Sequence, residues 1–269
     1  MTETVLVAIE GAVATVSLNR PHRHNAWTGR MHAEYKSAMS ALDVDTTIRA
    51  IVVTGVGNTF CVGGDSEALA GHADRGGYDP GESVNVTNPG TNLAPEFNHD
   101  LAWHYGLRVP VIAAINGAGI GLALTLFCDL RFISATAKCT TAAPKLGLPA
   151  EYGMSWTLPR IVGVTRAADL LLSGRVFTGE ETRDWGLWNG VAQDGAGALA
   201  MAQLWAQSLA TSAGPTAVAT TKAQIYRDLI RHDVGASVDE SIALINDATQ
   251  TAEYREGVAA LRDKRPPRF

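Results

Sequence analysis

Two buried strands that each lead to a glycine-rich turn constrain the fold of this chain more than any other feature of its sequence. Residues 50–54 (AIVVT) and 109–115 (VPVIAAI) are apolar almost without interruption, which indicates strands covered on both faces of a sheet. The first strand is followed by FCVGGD at 60–65. The second opens into NGAGIG at 116–121, and a helix of small residues is predicted directly after it, at 122–128. This repeated order predicts an α/β fold.

The rest of the chain adds a hairpin at one end and helices at the other. Two runs rich in β-branched residues flank Gly11 and predict a hairpin, and helical spacing predicts a helix over residues 28–42. A further strand is predicted at 129–134. From residue 152 onward the pattern is helical, without further strands, and after residue 192 it predicts three or four amphipathic helices separated at 214–215 and 235. We therefore divide the chain into a core, residues 1–192, and a C-terminal helical region, residues 193–269.

Charge and cysteine content exclude several classes of protein. The 22 Lys and Arg against 27 Asp and Glu give a net charge of −5, which argues against a nucleic-acid binder with a broad basic face. Three cysteines without a CxxC pair give no disulfide framework and no metal-ligand spacing, so a reducing compartment is expected. No export signal or run of membrane-spanning length is present in the sequence. These features predict a cytoplasmic protein that binds no membrane and no metal.

The two glycine turns are the best candidates for chemistry. Glycines let the backbone approach a ligand closely with its amides exposed, and the second turn precedes a helix whose dipole reinforces its N–H groups. Two such turns suit an oxyanion, although either alone is also compatible with an ordinary tight turn. The GxGxG spacing in the second turn differs from the GxGxxG of dinucleotide-binding folds.

Four motifs in this order resemble the crotonase superfamily, the enoyl-CoA hydratases and isomerases, over almost the entire chain. They are LNRP at 18–21 with NA at 25–26, FCVGGD at 60–65, INGAGIG at 115–121, and LPR at 158–160 with Gly163. The resemblance implies a spiral of βββα turns with a C-terminal helical region that makes homotrimers, often paired as dimers of trimers. It also implies an acyl-CoA substrate, with coenzyme A entering as part of that substrate and no separate cofactor.

The resemblance assigns residues to an oxyanion hole and to coenzyme A. The first oxyanion amide matches Gly64. The second matches Ile120 when counted back from Asp129, or Leu122 when counted forward from Asn116. We prefer Ile120, because a turn absorbs a deletion more easily than a packed helix does. Arg20 lies in the loop that meets coenzyme A phosphates, and Arg23 is expected to be the main phosphate contact because guanidinium matches phosphate oxygens. The full set expected to contact coenzyme A is His22, Arg23, His24, Ala26, Val62, Gly64 and Asp65.

The catalytic carboxylates depart from the hydratase pattern. The two hydratase glutamates align with Ala123 and Ala143, which puts two-carboxylate water addition in doubt. Glu151 lies where some family members place a single acid, and one carboxylate of raised pKa suffices for isomerisation. Helix capping by Glu151 is the competing interpretation. We therefore expect Δ3,Δ2-enoyl-CoA isomerase chemistry; the alternatives are 2-enoyl-CoA hydratase chemistry, with Glu67 or Glu96 supplied by a long loop, and an acyl-CoA-binding protein with little catalysis.

Overall fold

The computed structural model describes residues 3–65, 67, 71, 87–90, 94–119 and 122–269. Its strands are β1 Val5–Glu10, β2 Val13–Leu18, β3 Ala50–Gly55, β4 Thr59–Cys61, β5 Val111–Ile115, β6 Ala118–Gly119, β7 Leu130–Ser134, β8 Lys138–Cys139, β9 Phe177–Thr178 and β10 Gly190–Ala192. Its α-helices are α1 Gly29–Val44, α2 Leu122–Leu126, α3 Met154–Val162, α4 Val164–Ser173, α5 Gly195–Ser212, α6 Pro215–Asp228, α7 Val234–Ala248 and α8 Ala252–Asp263.

The chain alternates between two sheets. The larger is ordered β1-β2-β3-β5-β7-β10 and the smaller β4-β6-β8-β9. Each passage through the core contributes one strand to the larger sheet and the next to the smaller one: β3 then β4, β5 then β6, β7 then β8. All pairings among these strands are parallel, so their carboxyl ends lie on the same edge. This alternation produces the spiral that the family resemblance implies.

The inner strands β3 and β5 of the larger sheet are buried on both faces, as the continuous apolar runs predict. In β3, Ile51 and Val53 belong to the main core, whereas Ala50 and Val52 pack with Ala202 and Ala206 of α5 on the opposite face. The predicted hairpin, the helix near residues 28–42 and the buried strands are confirmed. Thr28 caps α1 by accepting the N–H of Met31, which explains where that helix begins.

Two expectations for the second half are wrong. Strands do not stop before residue 152, because β9 and β10 each join a sheet whose other members lie earlier in the chain. They contain two and three residues, too few to show a period in the sequence. Gly235 does not separate two helices either. It lies inside α7, which begins after Asp233, whose side chain accepts the N–H of Ala236.

A buried ion pair attaches the C-terminal helices to the spiral. Lys222 of α6 donates to Asp129 Oδ2 at 2.8 Å and to the Val109 carbonyl at 2.9 Å. The Tyr226 hydroxyl donates to Asp129 Oδ1 at 2.6 Å, and the Val111 N–H donates to Oδ2 at 2.7 Å. Asp129 is therefore a structural residue that connects α6 to the start of β5.

Candidate active site

Gly64 lies in an exposed turn whose backbone pairs with the segment around Trp27. The Trp27 N–H donates to the Gly63 carbonyl at 2.7 Å, and the Asp65 N–H donates to the Trp27 carbonyl at 3.0 Å. In a parallel bridge of this kind the bonds use the residues on either side of Gly64, so its own N–H is directed away from Trp27. Within the described part of the chain no acceptor takes that N–H. The Gly64 amide is thus available to a ligand.

The second glycine turn lies beside the first because β4 pairs with β6. The register aligns Thr59 with Ala118 and Cys61 with Gly119, so both strands run toward the same edge. Gly117 permits this approach, because a Cβ atom there would lie 1.9 Å from the Asn58 carbonyl oxygen. Ile120, matched to the second oxyanion amide, lies outside the described residues. Leu122, the other candidate, is buried and opens α2, whose first-turn amides have no acceptor within that helix.

Alanine occupies the two positions where a hydratase carboxylate is expected. Ala123 lies in the first turn of α2 and Ala143 begins a short 3-10 helix at Ala143–Leu146, and both side chains are buried. Neither position supplies an ionisable group. Any carboxylate that acts at this site therefore comes from elsewhere in the chain.

Glu151 is a half-buried carboxylate just before α3. Burial raises its pKa above the ordinary glutamate value, and no hydrogen bond or charge from the described residues opposes that rise. α3 has no side-chain cap, so the capping interpretation of Glu151 finds no support in the contacts of that helix. Gly153 lies against the ring of Phe127, directly after α2, which brings the Glu151 segment next to the helix that follows the second glycine turn.

The residues expected to contact coenzyme A form one surface loop and the adjoining turn. His22 and His24 are exposed, Arg23 and Val62 are half-buried, and Ala26 is buried. An open groove of about 370 Å³ runs along this loop and is lined by Thr4, Asn19, Arg20, Pro21, His22 and Arg30. The Val62 N–H donates to the His24 carbonyl at 3.3 Å, which joins the loop to the Gly64 turn.

The Asp65 carboxylate forms its hydrogen bonds with neighbouring groups inside the protein. Asp65 is only 4% exposed. Its carboxylate accepts hydrogen bonds from the Arg20 side chain at 3.0 Å, the Arg23 side chain at 3.2 Å and the Glu67 N–H at 3.0 Å. Burial alone would raise the pKa of Asp65, but these three donors together lower it. Sequence reasoning grouped Arg20 with the coenzyme A loop and missed its contact with Asp65, because the two residues are separated by 45 positions.

The other candidate residues, His104, Trp103 and the three cysteines, are buried in the core. His104 is completely buried, with one ring nitrogen bonded to the Tyr35 hydroxyl at 2.8 Å and the other to the Leu101 carbonyl at 2.6 Å, and burial lowers its pKa to about 4. Trp103 stacks on it. Burial raises the pKa of the Cys61 thiol to about 11 and those of Cys128 and Cys139 to about 12, which makes all three poor nucleophiles.

The described residues contain neither a metal-binding cluster nor a membrane-spanning helix. Across those ranges, no cluster of three or more His, Cys, Asp or Glu side chains is arranged to hold a metal ion. No helix in the same ranges has the length and apolar character needed to cross a membrane.

Comparison with known proteins gives one consistent family. A family model described as enoyl-CoA hydratase/isomerase matches residues 8–269. The chain is 34% identical to 1,2-epoxyphenylacetyl-CoA isomerase from Escherichia coli, over 100% of this chain and 99% of that protein. It is 30% identical to a probable enoyl-CoA hydratase from Rhodobacter capsulatus, over 99% and 97%. A probable enoyl-CoA hydratase/isomerase from Mycobacterium abscessus superimposes with a TM-score of 0.85 at 28% identity, over 98% of each chain.

Proposed function

This chain belongs to the enoyl-CoA hydratase/isomerase family, the crotonase superfamily, and from that premise we propose that it is an enoyl-CoA isomerase that converts 3-enoyl-CoA to 2-enoyl-CoA. The family's members are enzymes that process acyl-CoA thioesters. The observation that carries the narrower proposal is Glu151, a half-buried carboxylate with raised pKa, in a chain that has alanine at positions 123 and 143.

The proposed reaction needs one base and one oxyanion site. Glu151 removes a proton from C2 of the 3-enoyl group, and the electron pair moves into the thioester carbonyl to give a dienolate. The oxyanion accepts hydrogen bonds from the Gly64 N–H and from a second amide, which we assign to Ile120, with Leu122 as the alternative. Glu151 then returns the proton at C4, which leaves the double bond between C2 and C3. Each oriented amide donor is typically worth about 3 kcal/mol of transition-state stabilisation.

The raised pKa of Glu151 suits this role. A carboxylate of ordinary pKa is a weak base toward a carbon acid. Burial raises the pKa of Glu151 and so makes its ionised form a stronger base. The absence of a described partner for the carboxylate leaves it able to move a proton between two carbons. A second carboxylate to activate water is not required.

Hydratase chemistry is the second candidate, because relatives such as the Rhodobacter capsulatus protein are named as hydratases. It would require another acid in place of Ala123 and Ala143. Glu67 is 84% exposed and forms an ion pair with Arg23 at 3.4 Å, and Glu96 is exposed in a short 3-10 helix. Both lie in or beside the long segment after Asp65, and hydration would require one of them to act on the substrate.

A direct assay separates these functions. Purified protein is offered 3-hexenoyl-CoA and crotonyl-CoA, and formation or loss of the conjugated thioester is followed by its ultraviolet absorbance. We expect turnover of 3-hexenoyl-CoA, a fall of about 10² to 10⁴-fold in E151Q, and wild-type rates in the matched carboxylate controls E67Q and E96Q.

Three outcomes would contradict the proposal in different ways. Hydration of crotonyl-CoA alone, lost in E67Q or E96Q, would establish the hydratase alternative. Full activity in E151Q would remove Glu151 from the mechanism. Binding of coenzyme A thioesters in calorimetry without turnover of either substrate would identify an acyl-CoA-binding protein.

A further inference from the structure

We infer that Arg20 is a positioning residue that fixes the direction of the Gly64 amide by holding both sides of the backbone bridge at the site. It does so without touching the reacting atoms. This inference rests on the proposed function, because it assigns Arg20 to the same oxyanion site.

A single guanidinium nitrogen joins the two segments of the bridge. Arg20 Nη1 donates to the Ala26 carbonyl at 2.6 Å and to Asp65 Oδ2 at 3.0 Å. Ala26 immediately precedes Trp27, and Asp65 immediately follows Gly64. The guanidinium therefore connects the segments on either side of the isolated Trp27–Gly64 pair, alongside the backbone hydrogen bonds donated by the Trp27, Val62 and Asp65 N–H groups.

Arg20 is itself fixed to the core through Asn25. The Arg20 N–H donates to Asn25 Oδ1 at 2.8 Å, and the Asn25 N–H donates to the Arg20 carbonyl at 2.9 Å. The Asn25 side-chain amide then donates to the carbonyls of Val56 and Thr59, at the end of β3 and the start of β4. Asn25 is completely buried, so this frame is rigid. The guanidinium thus acts from a fixed point on the two sheets.

Arg20 and Arg23 occupy different places around Asp65. The Arg20 side chain is 18% exposed and binds one carboxylate oxygen, whereas the Arg23 side chain is 37% exposed, binds the other oxygen and also pairs with Glu67. Arg20 also holds the Ala26 carbonyl. Loss of Arg20 therefore releases the bridge, whereas loss of Arg23 affects the outer surface where coenzyme A phosphates are expected.

A small change in amide direction has a large effect on an oxyanion site. Donors must lie within about 2.7–3.1 Å of the developing charge, and a misplacement of about 1 Å can cost about 10²-fold in rate. Because the amide acts in the transition state, misdirection lowers kcat more than it raises KM.

The kinetic test compares R20M and R20K with R183M. Arg183 lies in the short 3-10 helix Arg183–Trp185 and forms a surface ion pair with Glu180 that is separate from the bridge, which makes R183M the matched control. With 3-hexenoyl-CoA we expect R20M to lose about 10²-fold in kcat with KM nearly unchanged, and R20K to recover part of the loss, because one ammonium restores the charge without the guanidinium geometry. R183M should match the wild type.

Misfolding is controlled by circular dichroism, and R20K carries the test if R20M does not fold. A raised KM with unchanged kcat in either variant would show that Arg20 binds coenzyme A and would overturn the inference. Wild-type kcat and KM in both variants would overturn it as well.

A spectroscopic measurement separates this inference from the proposed function. Hydrogen bonds to a thioester carbonyl lower its stretching frequency, so the infrared spectrum of bound hexanoyl-CoA, which has no double bond to move, reports polarisation without turnover. We expect a lowered frequency in the wild type and E151Q and a smaller lowering in R20K. No lowering in the wild type would refute the oxyanion site itself. A full lowering in R20K would refute the positioning role and leave the proposed function intact.

Discussion

At the scale of single residues, Glu151 combines features that oppose stability. Its carboxylate is half-buried, without a described partner, and its neighbour Tyr152 has a φ of 46°, in the left-handed region that favours glycine. A residue that only capped α3 would stabilise the fold through its charge. Destabilising features collect where function requires them, since activity and stability place different demands on the same side chain.

The pH dependence of stability tests whether the half-buried Glu151 carboxylate destabilises the fold. Because the folded pKa of Glu151 is raised, its contribution to stability is complete below the ordinary glutamate pKa and is lost as the pH rises through the folded pKa. We expect E151Q to melt about 1–3 °C above the wild type near neutral pH, with no such gain near pH 4. Thermal melts at both pH values measure the difference. A lower Tm for E151Q at neutral pH would support the capping interpretation.

At the scale of elements, α6 is attached to the spiral by a pair of buried charges. Lys222 and Asp129 are almost enclosed, and the Tyr226 hydroxyl and the Val111 N–H satisfy the rest of the carboxylate. A buried ion pair of this kind contributes little more stability than apolar side chains would. Loss of one partner, however, leaves the other charge buried and uncompensated. The pair therefore determines where α6 packs more than how stable the protein is.

A double-mutant cycle at this pair follows from that reasoning. We expect K222M to reduce the free energy of unfolding by about 3–5 kcal/mol. Adding D129N should cost less than the sum of the single changes, because the charge that K222M leaves unpaired is removed. Urea unfolding at one fixed protein concentration measures all four proteins. Strict additivity would mean that the two side chains do not depend on one another.

At the scale of the whole molecule, α7 presents an apolar face that the described residues leave exposed. Val238, Ile242 and Ile245 follow one another at helical spacing and are 53%, 54% and 60% exposed, and α7 has no buried residue. An amphipathic helix normally buries such a face. A second copy of the chain would cover it, which agrees with the homotrimer or dimer of trimers that the family resemblance implies.

The oligomeric state checks this interpretation. We expect the wild type to sediment as a trimer or hexamer and the V238E/I242E variant to sediment as a smaller species, because charges on the apolar face oppose its burial. An exposed substitution on the same helix, D239E, is the matched control. A monomeric wild type, or a variant that assembles normally, would exclude α7 from a subunit interface.

The sequence by itself determined the two buried strands and the glycine turns that follow them, whereas the spiral was an implication of the family resemblance. Continuous apolar runs at 50–54 and 109–115 can be buried only in a sheet covered on both faces, and glycines at 63, 64, 117 and 119 mark where the backbone turns or approaches a neighbour. These are local properties of composition and spacing. The motif order gave the family, and with it Gly64 and Glu151 as candidates.

Only the tertiary structure decided which distant residues meet. β9 and β10 are strands because β8 and β7 supply their hydrogen bonds, not because of a pattern in their own two or three residues. Arg20 reaches Asp65 across 45 positions and Lys222 reaches Asp129 across 93, and no local period records either pair. The burial that raises the pKa of Glu151 is likewise a property of its surroundings. Secondary structure follows from neighbours in the chain, whereas charge pairing and burial depend on neighbours in space.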